Sequence, residues 1–160
     1  MEIYIADEQG LPVEAQPLVE LAQRVLVGER QPPETEVNVL LVDERSMSEL
    51  QERFMGEEGP TDVLAFPMED DEEAGPGWPP GRFVDPPDQP FLLGDVVICP
   101  AVAARQAEDS GSDLEREMRL LLVHGLLHLL GHDHADAEEA RHMEGHQSRY
   151  LDEETEGAEP

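Results

Sequence analysis

An apolar block at residues 120–130 constrains the fold more than any other part of the chain. Its side chains occupy nearly every face of the helix that this stretch predicts, and a helix that is apolar all round is buried in a core. The block is well short of the ~20 residues that span a bilayer, so we expect no membrane partner. The sequence therefore predicts a buried central helix, capped by Ser112 or Asp113, on which the other elements pack.

Two histidines interrupt this helix one turn apart. His124 and His128 project from one face, and Gly131 allows the chain to reverse so that His134 returns as a third ligand. Three imidazoles with an open fourth position are typical of a catalytic zinc site, whereas structural zinc sites usually have four protein ligands. We therefore expect one zinc ion per chain, bound by these three histidines.

The spacing of the histidines is shared with the metzincin proteases, but the chemistry is not. In those enzymes a glutamate directly after the first histidine activates water, and here that residue is Gly125. A zinc hydrolase of small or peptide substrates stays open as an alternative. It requires a carboxylate near the open position, for which Glu117, on the same face and N-terminal to His124, is the local candidate.

Periodicity along the rest of the chain predicts alternating strands and helices. Strands are expected at residues 2–6, 36–42, 61–66 and 91–99, and helices at residues 17–28, 46–55, 100–110 and 137–151. Ser46 and Glu49 predict a capping box at the second of these helices. We predict one α+β domain, residues 1–151, in which a mixed sheet of about four strands packs against about five helices, including a buried central metal-binding helix.

Acidic residues dominate the composition. The chain has 38 acidic residues against 10 basic ones, all of them arginine, and its net charge of −28 argues against a broad electrostatic attraction to nucleic acid. Residues 68–90, rich in acids, proline and glycine, predict a mobile loop, and residues 152–160 a disordered acidic tail. A single cysteine, Cys99, and an acidic N-terminus without a secretory pattern favour the cytoplasm.

Three segments together resemble the YbeY endoribonucleases, which are bacterial factors of ribosomal RNA maturation. In chain order they are residues 59–67 (GPTDVLAFP), 93–98 (LGDVVI) and 124–134 (HGLLHLLGHDH). The resemblance implies a zinc-dependent, single-strand-specific endoribonuclease that acts at the 3′ end of small-subunit rRNA and in ribosome quality control. The implied partners are single-stranded rRNA, the small ribosomal subunit and its assembly factors.

The resemblance also implies roles for individual residues. His124, His128 and His134 correspond to the zinc ligands of the family, and Asp95 to a strand residue beside the metal cleft that is expected to contact the substrate. His132 and Asp133 lie within the ligand loop. Together with His124 they are the candidate catalytic residues, although a turn-forming role beside a bound histidine suits Asp133 better.

One departure from the family concerns an arginine. Family members commonly carry it in a Tyr-Arg-Gly stretch five residues before the Pro-Thr-Asp-Val-Leu strand, and this chain has Met55 at that position. The role of contacting RNA phosphate is then unfilled, or falls to Arg45, Arg53 or Arg105. The missing arginine and the acidic charge keep a further alternative open, a ribosome-assembly binding module whose zinc only stabilises the fold.

Overall fold

The computed structural model describes residues 1–68, 91–131 and 150–151. The strands are β1 (Glu2–Glu8), β2 (Glu36–Val42), β3 (Val63–Pro67) and β4 (Leu92–Ile98); the helices are α1 (Ala15–Gly28), α2 (Glu44–Leu50), α3 (Pro100–Ser110) and α4 (Leu114–Leu129). A π-helical segment, Gln51–Met55, continues α2. The predicted α+β class is therefore confirmed.

The four strands form one mixed sheet in the order β1-β2-β4-β3. β1 pairs with β2 and β2 with β4 in parallel, whereas β3 is antiparallel to β4. Parallel neighbours require crossover connections, and α1 supplies the one between β1 and β2. The antiparallel strand β3 forms one edge of the sheet, and the functional site described below lies beside it.

Helices cover both faces of the sheet. On one face, α1 and α4 pack against side chains of β2 and β4 that include Val39 and Val96. On the other, α2 packs against the alternate positions of the same strands, such as Leu40 and Val97. The predicted burial of the central helix is confirmed, because eight residues of α4 are buried. Within the described ranges, no helix has the length and apolar composition needed to cross a membrane.

Two of the described helices, α2 and α4, begin at an aspartate whose side chain caps the first turn. Asp113, one of the two predicted caps, accepts a hydrogen bond from the backbone nitrogen of Arg116 at the start of α4. The capping box predicted at Ser46 is wrong: Asp43 caps α2 and accepts from the backbone nitrogen of Ser46 at 2.8 Å. Asp43 directly precedes the first residue of α2, so its carboxylate can accept hydrogen bonds from the backbone amides of the first turn. Ser46 lies within that turn and therefore cannot be its cap.

Several predicted segments lie outside the described residues. They are the loop at residues 68–90 apart from Met68, the tail at residues 152–160, and the last helix at residues 137–151 apart from Tyr150 and Leu151, which are helical. The described part of the chain therefore contains four of the about five expected helices.

Gly125 allows α4 to approach the sheet closely. A methyl group at this position would lie 2.6 Å from Cγ1 of Val96 and 3.3 Å from Cγ2 of Val63, both within the sheet. Carbon atoms normally stay about 3.5–4.0 Å apart. The absence of a side chain therefore fixes the distance between α4 and β4, and with it the position of the flanking residue His124.

A double-mutant cycle tests this contact. Gly125→Ala should lower the free energy of unfolding by about 1 kcal/mol, because overpacking against Val96 outweighs the gain in helix propensity. In a Val96→Ala background the same substitution should cost less, since the opposing methyl groups are gone. Gly10→Ala, where a methyl group would meet no atom within 4 Å, is the control. Additive costs in urea unfolding would contradict the close approach.

Candidate functional site

The two histidines of α4 lie side by side on the part of the helix that faces β3. Nε2 of His124 is 3.0 Å from Nε2 of His128, and the ring centroids are 4.5 Å apart. Positions four apart on a helix face the same direction, so the predicted i, i+4 pair is confirmed in its geometry. Both side chains are partly buried, which restricts their rotamers and holds the two nitrogens towards one point.

These histidines line a cleft of about 190 Å³ between α4, β3 and the π-helical segment. The other lining residues are Met55, Val63, Ala65 and Gly125. Both strand residues, Val63 and Ala65, belong to the segment 61–66, and the alternation within β3 explains why these two face the cleft, because Leu64 and Phe66 belong to the opposite core. The cleft thus presents imidazole nitrogens on an otherwise apolar wall.

The histidine pair fits two ligands of a zinc ion. Zn–N bonds of about 2.0–2.1 Å at tetrahedral angles place two ligand nitrogens roughly 3.3 Å apart, close to the observed 3.0 Å. The third expected ligand, His134, lies outside the described residues, as do His132 and Asp133. Within the described ranges, no three His, Cys, Asp or Glu side chains converge as a metal site.

Position 55, at which the family resemblance places an arginine, faces this cleft. Met55 lines it and is 46% exposed. Arg53 is exposed and does not line the cleft; its guanidinium carbon lies 5.2 Å from the centroid of the Phe54 ring. Among the described residues that line the cleft, none is an arginine.

The other two arginines considered as replacements lie on the protein surface at the α2 side of the sheet. Arg45 lies on α2, where its Nε is 3.5 Å from a carboxylate oxygen of Glu49 and both side chains are largely exposed. Arg105 donates a hydrogen bond to Glu44. The structure does not bring either guanidinium to the lining of the histidine cleft.

Asp95 lies on the face of the sheet opposite to the histidines. Successive strand residues point to opposite faces; Val96 packs in the core beside α4 and Val97 in the core beside α2, so Asp95 points towards α2. There it is 1% exposed and accepts a hydrogen bond from Nδ2 of Asn38 at 2.9 Å. Asp95 therefore does not line the cleft as the resemblance led us to expect.

Glu117, the carboxylate considered for a hydrolase, lies near Asp62 at the start of β3. Burial of the Glu117 carboxyl and, next, the negative charge of Asp62 raise its pKa, while Arg116 opposes the shift. Glu117 is seven residues before His124, which corresponds to about 10 Å along the helix axis. It does not line the histidine cleft and is too distant to act there as a base.

Comparisons with known proteins give a consistent family assignment. The family model described as Endoribonuclease YbeY matches residues 4–154. Curated relatives named Endoribonuclease YbeY include a Thermobifida fusca protein, 49% identical over 94% of this chain and 92% of its own, and an Acidothermus cellulolyticus protein, 47% identical over 94% and 90%. A solution structure from Thermotoga maritima, 28% identical, matches 94% of this chain and 87% of its own with a TM-score of 0.62. These findings confirm the resemblance inferred from the three segments.

The raised pKa of Glu117 predicts a pH-dependent stability. The unfolded chain loses this proton near the ordinary value of 4.5, while the folded chain retains it to higher pH, so the free energy of unfolding falls as the pH rises between the two values. Glu117→Gln removes the titrating group and with it this fall in the free energy of unfolding. The melting temperature of the variant, relative to wild type, should therefore be higher at about pH 7 than at about pH 4.

A background variant identifies the cause of this effect. Asp62→Asn removes the neighbouring negative charge. In that background the effect of Glu117→Gln on the melting temperature should depend less on pH, but the dependence should not vanish, since burial is the larger cause of the raised pKa. An identical difference at both pH values in the wild-type background would show that the pKa is not raised.

Proposed function

Since this chain belongs to the YbeY family of endoribonucleases, we propose that it is a metal-dependent, single-strand-specific endoribonuclease of rRNA maturation. Its proposed substrate is the 3′ end of small-subunit rRNA, and it also serves ribosome quality control in the cytoplasm. The observation that carries this proposal is the 3.0 Å convergence of Nε2 of His124 and Nε2 of His128 in a cleft beside an edge strand.

The proposed cofactor is one zinc ion per chain, held by His124, His128 and His134. When bound, such an ion supplies a Lewis acid and lowers the pKa of water towards about 7. The buried face of α4 holds the first two imidazoles in place, so little conformational entropy is lost when they act as ligands. We assign His132 and Asp133 to proton transfer or ligand orientation beside His134.

Substrate contact in this proposal is local, because the chain as a whole repels RNA. The apolar wall formed by Met55, Val63 and Ala65 contributes no charge to the cleft. The exposed arginines nearest in sequence to this wall, Arg45 and Arg53, are then assigned to the RNA backbone outside the cleft. Asp95 is assigned a structural role through Asn38.

A ribosome-assembly binding module is the second candidate. It is favoured by the absence of an arginine among the described residues that line the cleft. In that case the small ribosomal subunit and its assembly factors are the partners, and the zinc ion stabilises the fold without cleavage.

Substitution of the ligands separates these two candidates. His128→Ala should lose most of the bound zinc in elemental analysis and should melt at the same temperature as chelated wild type, because removing one of three ligands sharply weakens binding. His124→Ala should abolish cleavage of single-stranded rRNA, measured with and without small ribosomal subunits. Cleavage retained by His124→Ala would refute the role of the histidine site in the reaction, whereas wild type that binds zinc but does not cleave the RNA would favour the binding module.

Restoring a cation at the cleft tests the role of position 55. Met55→Arg should raise the rate of single-stranded RNA cleavage by about tenfold, since a charge-assisted hydrogen bond to phosphate contributes roughly 1.5–3 kcal/mol. The matched control is Glu52→Gln, which changes the net charge by the same one unit in the same segment, at an exposed position that does not line the cleft. Equal rates for both variants would show that only overall charge matters.

A further inference from the structure

A second and larger cavity lies away from the histidines. Its volume is about 460 Å³, and it is bounded by the connection between β1 and α1 and by the first turns of α1 and α4. The lining residues are Asp7, Pro12, Val13, Glu14, Pro17, Leu18, Leu114, Glu115, Met118 and Arg119. None of them lines the histidine cleft, so the two sites are distinct.

The interior of this cavity, called the N-terminal groove below, is apolar. Leu18 and Met118 form a buried floor, at 3% and 1% exposure, while Val13 and Leu114 remain partly exposed against the same core. Cavities of about 300–1,000 Å³ with apolar walls are typical of ligand sites. The groove therefore offers apolar surface that the described part of the chain does not cover.

Two features make the groove rigid before any partner binds. Pro17, in the first turn of α1, and Pro12, in the preceding connection, have fixed φ angles. The opposite wall begins at Leu114, whose helix is fixed by the Asp113 cap. A preformed site loses less conformational entropy on binding, which favours affinity.

The rim of the groove is acidic. Asp7, Glu14 and Glu115 contribute three carboxylates, against the single guanidinium of Arg119. Glu14 is the N-cap residue of α1 but makes no capping hydrogen bond, and Asp113 rather than Glu115 caps α4. Helix capping thus leaves the Glu14 and Glu115 carboxylates available to a ligand, and their charge repels nucleic-acid phosphates.

We propose that the N-terminal groove binds a basic segment of a partner protein, with an apolar side chain seated on Leu18 and Met118 and flanking Lys or Arg side chains at the acidic rim. Charge complementarity selects this occupant over RNA and over the acidic segments of this chain itself. The proposal does not rest on the cleavage activity, because the groove shares no residue with the histidine cleft.

Binding of short fluorescein-labelled peptides to the full chain tests this inference. A peptide of alternating Leu and Arg should bind, whereas alternating Ala and Arg, or alternating Leu and Glu, should bind at least about tenfold more weakly. The double variant Glu14→Arg with Glu115→Arg should weaken the first peptide by about tenfold or more. The matched control is Glu49→Arg with Glu52→Arg, the same charge change on the α2 side of the sheet, which should retain most of the affinity.

Methyl NMR locates the peptide. The Met118 methyl signal should shift on titration, while the Met55 methyl signal at the histidine cleft should not. Melting curves of both double variants should show that they are folded. Equal binding of the Ala–Arg peptide, or equal losses in both double variants, would overturn the proposal in favour of general charge attraction. A wild-type dimer that Glu14→Arg with Glu115→Arg converts to monomer would overturn it in favour of a second copy as the occupant.

Discussion

The close packing of α4 against β4 is the constraint on which the rest of the structure depends. Because Gly125 has no side chain, the helix lies against Val96, and His124 and His128 on either side of this contact point towards β3. The same contact explains why the protease glutamate is absent. A carboxylate side chain at position 125 would have to enter the space that Val96 and Val63 occupy, so this packing and that chemistry exclude each other.

The helix α4 also separates two kinds of chemistry along its length. Glu115 lies in its first turn, where the positive end of the helix dipole stabilises a carboxylate, and His128 lies in its last turn. The negative end of the dipole favours a cation near the histidines. The helix dipole therefore favours negative charge at the end of α4 that borders the acidic groove, and positive charge, such as that of the proposed metal ion, at the end that carries the histidine pair.

The strands, the order of elements and the histidine pair could be predicted from the sequence because each depends on local periodicity. The face of the sheet on which Asp95 lies could not be predicted from the sequence. Residues 96–98 are all buried, since helices cover both faces of the sheet, and a strand without polar alternation does not reveal which way its neighbours point. The π-helical turn that contains Met55 could not be predicted either, because its sequence has the same residue pattern as an ordinary helix.

The acidic charge of the chain opposes RNA binding on the outer surface more than within the histidine cleft. Electrostatic interactions between exposed groups are screened beyond about 8 Å at physiological ionic strength, so most of the 28 net negative charges do not act within the histidine cleft. Among the residues that line it, Met55, Val63 and Ala65 carry no charge. The repulsion therefore acts mainly where RNA comes close to the charged outer surface of the protein. An RNA segment that enters the histidine cleft without lying along that outer surface would meet less of this repulsion, because the lining of the cleft adds no carboxylate.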